Sequence, residues 1–288
     1  MHAPFRIATE KTLFAMPETG IGYFPDVGVT RCLARLDGKV GQYLGMTGAR
    51  ISGPEAYLIG VASHFIPSSN IQTVVDRLAQ YPQGALTTSG GSDAARKVSD
   101  LLEEYTTDPF AEGSLPDKEA DKLRETPFLG EKRIALDYAF GQPSAEAVFS
   151  ALQELSTGKD DTQAAHELAG PNWGLKNGVS AGIAKWAGET LKQLETKSPR
   201  SLKVTHLAIN EARRLDVDEA FRFDMRLATA FCDLSIGRDF YEGVTHTLEK
   251  DPSTGKRRTG IANWNPKSLA EVDDELIRAQ FFGDMKAA

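Results

Sequence analysis

From Asn70 onward apolar side chains recur every three or four residues. That spacing constrains the chain more than any other feature, because it is the period of one face of an α-helix. Val74, Val75 and Leu78 follow a helix start expected at Asn70. Val98, Leu101, Leu102 and Tyr105 follow Ser92 at the same spacing, and Asp108-Pro109 ends the pattern because proline disfavours a helical residue before it. Ile183, Trp186, Ala187, Leu191 and Leu194 form another stripe. Ser198 followed by Pro199 reads as a cap with proline in the first turn, opening a helix that carries Val204, Leu207, Ala208, Ala212 and Leu215. Asp216 with Glu219 reads as a capping box, opening a further helix through Phe221, Met225 and Ala228 with its charges on the other face. Trp186 and Met225 are expected in the core.

The first 69 residues differ in texture. They are rich in Gly and Pro and carry two β-like runs, 5–9 and 12–16, before a turn-dense segment. The expected class is α/β, with residues 1–69 as part of an α/β core and residues 70–288 as a helical region. Loops are expected at 81–91, 108–127, 156–161, 170–180 and 251–265, none long enough to separate independent domains, and there is no internal repeat of 20–50 residues.

Composition excludes several classes. With 41% hydrophobic and 25% charged residues among 288, the chain is neither disordered nor fibrous. Its 33 basic against 40 acidic residues give a net charge of −7, so no global attraction draws it to a nucleic acid or an anionic membrane. The one dense basic cluster, Lys256, Arg257 and Arg258, lies in a Pro/Ser/Gly stretch and reads as a solvated loop. Cys32 and Cys232 match neither a disulfide framework nor a metal site. No apolar run reaches membrane-spanning length, and the first ten residues show no targeting segment. Phosphate-loop, dinucleotide-fingerprint, zinc-protease and nucleophile-elbow spacings are absent. His2, His64, His166, His206 and His246 stand without an acid partner at helical spacing and read as structural or exposed.

One segment, MPETGIGYFPDVG at 16–28, stands apart. Glu18 and Asp26 lie there among Pro17, Gly20, Ile21, Gly22, Tyr23, Phe24, Pro25, Val27 and Gly28. A carboxylate in apolar company loses hydration and its pKa rises towards a working pH, and two such acids in one pocket can divide acid and base roles. The same residues also suit a plainer role, since acids beside Pro and Gly often cap helices or bond turn amides.

The segment resembles the active-site signature of 3-hydroxyisobutyryl-CoA hydrolases, in the enoyl-CoA hydratase/isomerase (crotonase) superfamily. The likeness runs through FRIATEKTLFAMPETGIGYFPDVG at 5–28, GKVGQYLGMTGARISGPEAYLIGVASHFIPSS at 38–69, SPRSLKVT from Ser198 and GRDFYEGV from Gly237. It is weakest at 81–127 and 156–180. The resemblance implies the C-terminal part of a ClpP/crotonase core followed by helices, and a thioester hydrolase of valine breakdown, mitochondrial in eukaryotes, with an acyl-CoA substrate and no metal or redox cofactor. By the same resemblance Glu18 and Asp26 are both catalytic and substrate-binding. Glu18 attacks or activates water against the thioester carbonyl; Asp26 binds the substrate 3-hydroxyl and assists proton traffic. Hydratases of the superfamily carry a second glutamate where Asp26 stands, which favours hydrolysis over enoyl-CoA hydration.

In that family a substantial N-terminal half precedes the FRIAT stretch and supplies most core strands and both backbone donors of the oxyanion hole. The resemblance therefore implies an N-terminally truncated member with impaired thioesterase activity, since one such donor alone is worth on the order of 3 kcal/mol. It also leaves open a non-catalytic alternative, a hydrolase-like component of the fungal mitochondrial small ribosomal subunit. A homo-oligomer is compatible with either.

Overall fold

A tight turn divides the two early β-like runs into different sheets. Thr12 N–H donates to the Thr9 carbonyl at 3.0 Å while Thr9 N–H donates to the Thr12 hydroxyl at 2.9 Å, so the chain reverses before either run can extend. The computed structural model describes residues 1–81, 91–175, 178–250 and 253–283. Within these, strand β1 (Ile7–Ala8) pairs parallel with β4 (His64–Phe65), and β2 (Leu13–Phe14) pairs antiparallel with β3 (Ile51–Ser52). The β-like runs are thus correctly located but shorter than the sequence suggests.

The chain forms two compact units that alternate along the sequence, one of residues 1–14 and 50–128, the other of 15–49 and 129–288. This division differs from the expected change at residue 69, which follows sequence texture: the helices at 71–103 pack with the strands that precede them. Ile66, Val74 and Leu102 form a buried cluster flanked by Phe5, Ile71, Leu78, Val98 and Tyr105, so both helical stripes read from sequence close over Ile66, the residue that follows β4.

In the first unit, Ser52 and Glu55 form a capping box with Pro54 in the first turn of the Gly53–Leu58 helix. Asn70 occupies the expected cap position of the Ile71–Ala79 helix, but its side chain makes no cap bond; a 3₁₀ turn, Ser68–Asn70, leads in instead. The loop expected at 108–127 contains a helix, Asp117–Arg124, whose first turn is acidic, whose last is basic and which buries only Leu123. Without an apolar stripe its signal lies in charges complementing the helix dipole. The loop expected at 81–91 falls between 82 and 90, outside the described residues.

Among its described residues the regular elements of the second unit are all helices, apart from one isolated bridge, Lys250 with Arg257. Side-chain caps at Ser144, Thr162, Ser180 and Ser198 start four of its helices, each hydroxyl accepting from a backbone N–H three residues on. Trp186 is buried as expected, whereas Met225 is 68% exposed and Phe221 is also exposed. The Val217–Cys232 helix opens on the expected Asp216–Glu219 box but turns a different face inward, burying Ala220, Phe223, Asp224, Leu227, Ala230 and Phe231. Both stripes obey the same spacing, and the buried one wins by offering two aromatic rings against Phe24, Phe281 and Phe282. Lys256 and Arg257 are exposed, as expected of a solvated loop, and Arg258 pairs with Glu249 at 3.5 Å. No described helix is long and apolar enough to cross a membrane.

Candidate active site

Glu18 opens a 3₁₀ helix, Glu18–Ile21, within the segment that the sequence reads as turn-dense. Pro17 fixes the entry. The turn is closed by Gly22 in the left-handed region at φ 72°, whose N–H bonds the Thr19 carbonyl at 3.4 Å, while Tyr23 N–H bonds the Glu18 carbonyl at 3.0 Å. A side chain at Gly22 would also collide with the Asp239 carbonyl oxygen, and one at Gly243 with the Ile21 carbonyl group. Two glycines thus let the Glu18 turn lie backbone to backbone on the Asp239–Leu248 helix.

The turn is held from its other side by buried Thr19. Its hydroxyl donates to the Met46 carbonyl at 3.0 Å, and its own carbonyl accepts from Ser198 N–H at 3.2 Å. Ser198, the cap read from sequence, also donates its hydroxyl to buried Asp239 at 2.6 Å, and Asp239 accepts from Asn265 N–H at 3.0 Å. Burial raises the Asp239 pKa, and these donors act against that rise. The two motifs at Ser198 and Gly237 therefore converge on the backbone that presents Glu18.

Asp26 sits at the other end of the segment, half-buried, where the chain turns into the Val29–Ala34 helix. Val27, beside it, has φ 54°, a strained value for a β-branched residue, and Gly28 follows at φ 76°. What holds this backbone is Asp224, 3% exposed, which accepts from Gly28 N–H at 2.5 Å and from the Thr30 hydroxyl at 2.7 Å. Sequence reasoning missed Asp224 because it assigned the charges of that helix to the outer face.

Glu18 Oε2 is buried with no hydrogen-bond partner among the described residues. Burial raises the Glu18 pKa, its own backbone N–H partly opposes this, and the Asp26 carboxylate raises it further. The two acids thus lie within electrostatic reach of each other. Tyr23 joins them: its hydroxyl donates to Asp26 Oδ2 at 3.3 Å, and its ring stacks on Phe240 at 4.5 Å and meets Phe231 edge-on at 5.2 Å. Burial and the Asp26 charge push the Tyr23 pKa upward, so the phenol stays protonated and donating.

The histidines keep away from this site in role. Exposed His166 and half-buried His246 fit the expectation, while buried His206 lies near the Gln142 carbonyl at 3.0 Å. Buried His64 is structural too: no acid stands at helical spacing, and the fold brings Glu103 to 3.6 Å and the Ser63 hydroxyl to 2.7 Å. Ser63 Oγ also accepts from Arg6 N–H at 2.7 Å and lies 3.1 Å from the Arg6 carbonyl, which ties it into the strand pairing.

Residues 1–282 match the family model described as enoyl-CoA hydratase/isomerase. The chain belongs to this family. Among relatives, it is 34% identical over 273 residues to the small ribosomal subunit protein mS47 of Neurospora crassa, covering 94% of this chain and 46% of that protein. It is 34% identical over 279 residues to a mitochondrial 3-hydroxyisobutyryl-CoA hydrolase of Danio rerio, covering 96% and 58%. The chain spans about half the length of the curated relatives it matches. Among solved structures, a carnitinyl-CoA dehydratase from Mycobacterium thermoresistibile superposes with a TM-score of 0.65 at 26% identity, covering 97% of this chain and 62% of that one. The enoyl-CoA hydratase of Rhodobacter sphaeroides 2.4.1, at 22% identity and a TM-score of 0.59 over 97% and 62% of the two chains, shares the fold. The crotonase-type class expected from the sequence is therefore the class observed.

Tyr23→Phe isolates the phenol hydrogen bond to Asp26. The ring packing survives and Asp26 loses one donor worth about 1 kcal/mol. If the acids act on an acyl-CoA, turnover is expected to fall about fivefold with little change in thermal stability. Unchanged turnover would remove Tyr23 from the site.

Proposed function

We propose that this chain carries the acid pair of a mitochondrial acyl-CoA thioester hydrolase acting on 3-hydroxyisobutyryl-CoA. The observation that carries the reading is the half-buried Glu18, one oxygen unpartnered and its proton held tightly by burial and by Asp26. Such a group is costly as a structural element and useful as a reacting one. The sequence likeness to hydrolases named mitochondrial in Danio rerio and Xenopus laevis supports both the substrate and the compartment.

In this reading both acids face one cavity. Glu18 either takes a proton from water as the hydroxyl adds to the thioester carbonyl or attacks that carbon directly, forming an anhydride that water then opens. The C–S bond breaks in either case: in the first route Glu18 passes the proton it took from water to the departing sulfur, which leaves as the thiol, and in the second the sulfur leaves as the thiolate. Asp26, fixed by Tyr23, accepts the substrate 3-hydroxyl. Both routes need Glu18 ionised, and its pKa lies above the ordinary carboxylate value of 4.5. CoA release from 3-hydroxyisobutyryl-CoA is therefore expected to rise with pH along a limb centred above 4.5, measured with a thiol reagent across the acid range. A limb at or below 4.5 would sever the rate from Glu18.

A second reading has its own support in the likeness to mS47 of Neurospora crassa, which extends over nearly the whole chain. Here the chain is a component of a mitochondrial small ribosomal subunit. Sedimentation of the native protein with that subunit, together with an absence of CoA release, would favour it over hydrolysis.

A further inference from the structure

Lys203 is buried and Lys197 half-buried in the second unit, and they differ in what surrounds the ammonium. Lys203 donates to the Val272 carbonyl and to Asp274 at 2.7 Å each, and pairs with Glu146 at 2.5 Å. Those three acceptors match the three protons of an ammonium. Lys197 is half-buried, yet no described residue offers its Nζ an ion pair or a hydrogen bond. Burial alone acts on it, lowering its pKa. A half-buried ammonium without a protein acceptor has lost part of its hydration and gained no partner in exchange.

Lys197 lines a cavity of about 260 Å³ within the same unit. Most of the wall is apolar, from Phe149, Leu194, Leu202 and Leu269, and a second cation, exposed Lys267, lies on it. We propose that this cavity binds an amphipathic monoanion, a medium-chain carboxylate whose head meets Lys197 and whose chain lies along Phe149 and the three leucines. A carboxylate supplies the acceptor that Lys197 lacks, and a charge-assisted bond in a partly dry pocket is among the stronger polar contacts. A single charge suits the site better than two, because Glu195 also lines the cavity and opposes a dianion. Ser268 adds no free donor, its hydroxyl being given to Glu271 at 3.0 Å.

The site adjoins the acid pair without being part of it. A Cβ at Gly20 would stand 3.4 Å from Lys197 Nζ, which places the ammonium over the turn that Glu18 opens. The test therefore reads binding rather than turnover, so that it stands or falls apart from the hydrolase reading. Decanoate titrated into the purified protein by calorimetry is expected to saturate a single site. Lys197→Met should weaken it at least about tenfold, while Lys197→Arg keeps most of the affinity. Because a variant can lose its fold, the wild-type protein with ¹³C-methylated lysines provides a second readout, in which the Lys197 resonance moves as decanoate is added. No saturable binding, equal binding by Lys197→Met, a stationary Lys197 resonance, or 1-decanol binding as tightly as decanoate would each overturn the proposal. Displacement of decanoate by inorganic phosphate would also overturn it, since that would mark a simple anion site with no role for the apolar wall.

Discussion

Replacing Glu18 with glutamine is expected to lower CoA release from 3-hydroxyisobutyryl-CoA about a thousandfold while raising thermal stability. The amide keeps the shape of the side chain but neither accepts a proton from water nor attacks a carbonyl, and a positioned acid or base contributes roughly 10²–10⁴ in rate. The stability arm follows from the raised pKa. A carboxyl whose folded pKa exceeds its unfolded value favours the folded state below the unfolded value. That contribution is lost as pH rises through the folded one. At neutral pH the Glu18 charge therefore opposes folding, and a neutral amide in its place removes that opposition. The paired measurement is CoA release with a thiol reagent and a melting curve at pH 7. Loss of activity accompanied by a lower melting temperature would make Glu18 a structural residue, and full activity of Glu18→Gln would end the catalytic assignment.

The second large effect concerns Gly243. In an ordinary helix interior, alanine in place of glycine stabilises by roughly 0.5–1 kcal/mol. At Gly243 the added methyl would meet the Ile21 carbonyl group, which is backbone and cannot swing aside. Gly243→Ala is therefore expected to destabilise by about 2 kcal/mol, the usual scale of overpacking, and to reduce turnover by shifting the turn that presents Glu18. Gly188 supplies the control, since a Cβ there would stand 3.6 Å from the Ser156 Cβ, an ordinary contact. Gly188→Ala should be neutral or stabilising in the same urea titration. If the two variants behave alike, the close approach of backbones does not hold the turn.

What the sequence made legible were the features decided within a few residues. Ser198 beside Pro199 and Asp216 with Glu219 were readable because a cap is a local hydrogen bond three residues long. The stripe of the Ala181–Leu194 helix was readable because only one face of it is apolar. The Val217–Cys232 helix carries two apolar stripes, and choosing between Met225 and Leu227 required knowing what lies opposite. Glu18 and Asp26 stood out by their neighbours, but what holds them did not. Asp224 and Gly243 look ordinary in the sequence, and their partners, Gly28 and Ile21, lie some two hundred residues away. The helix at Asp117–Arg124 was missed for a simpler reason: burying little, it left no periodic trace.

The clamp of Asp224 on Gly28 also imposes an order of events on a growing chain. Its two partners are separated by 196 residues. At roughly 5–20 residues per second, about ten to forty seconds of synthesis pass between them. Throughout that interval Val27 has no carboxylate to hold Gly28 beside it, and the bend between Asp26 and the following helix is free to sample other shapes. Nearly all of the 50–128 unit can collapse meanwhile, since its own contacts are closed by then. The acid pair, written near the beginning of the message, is consequently among the last parts of the molecule to take its working form.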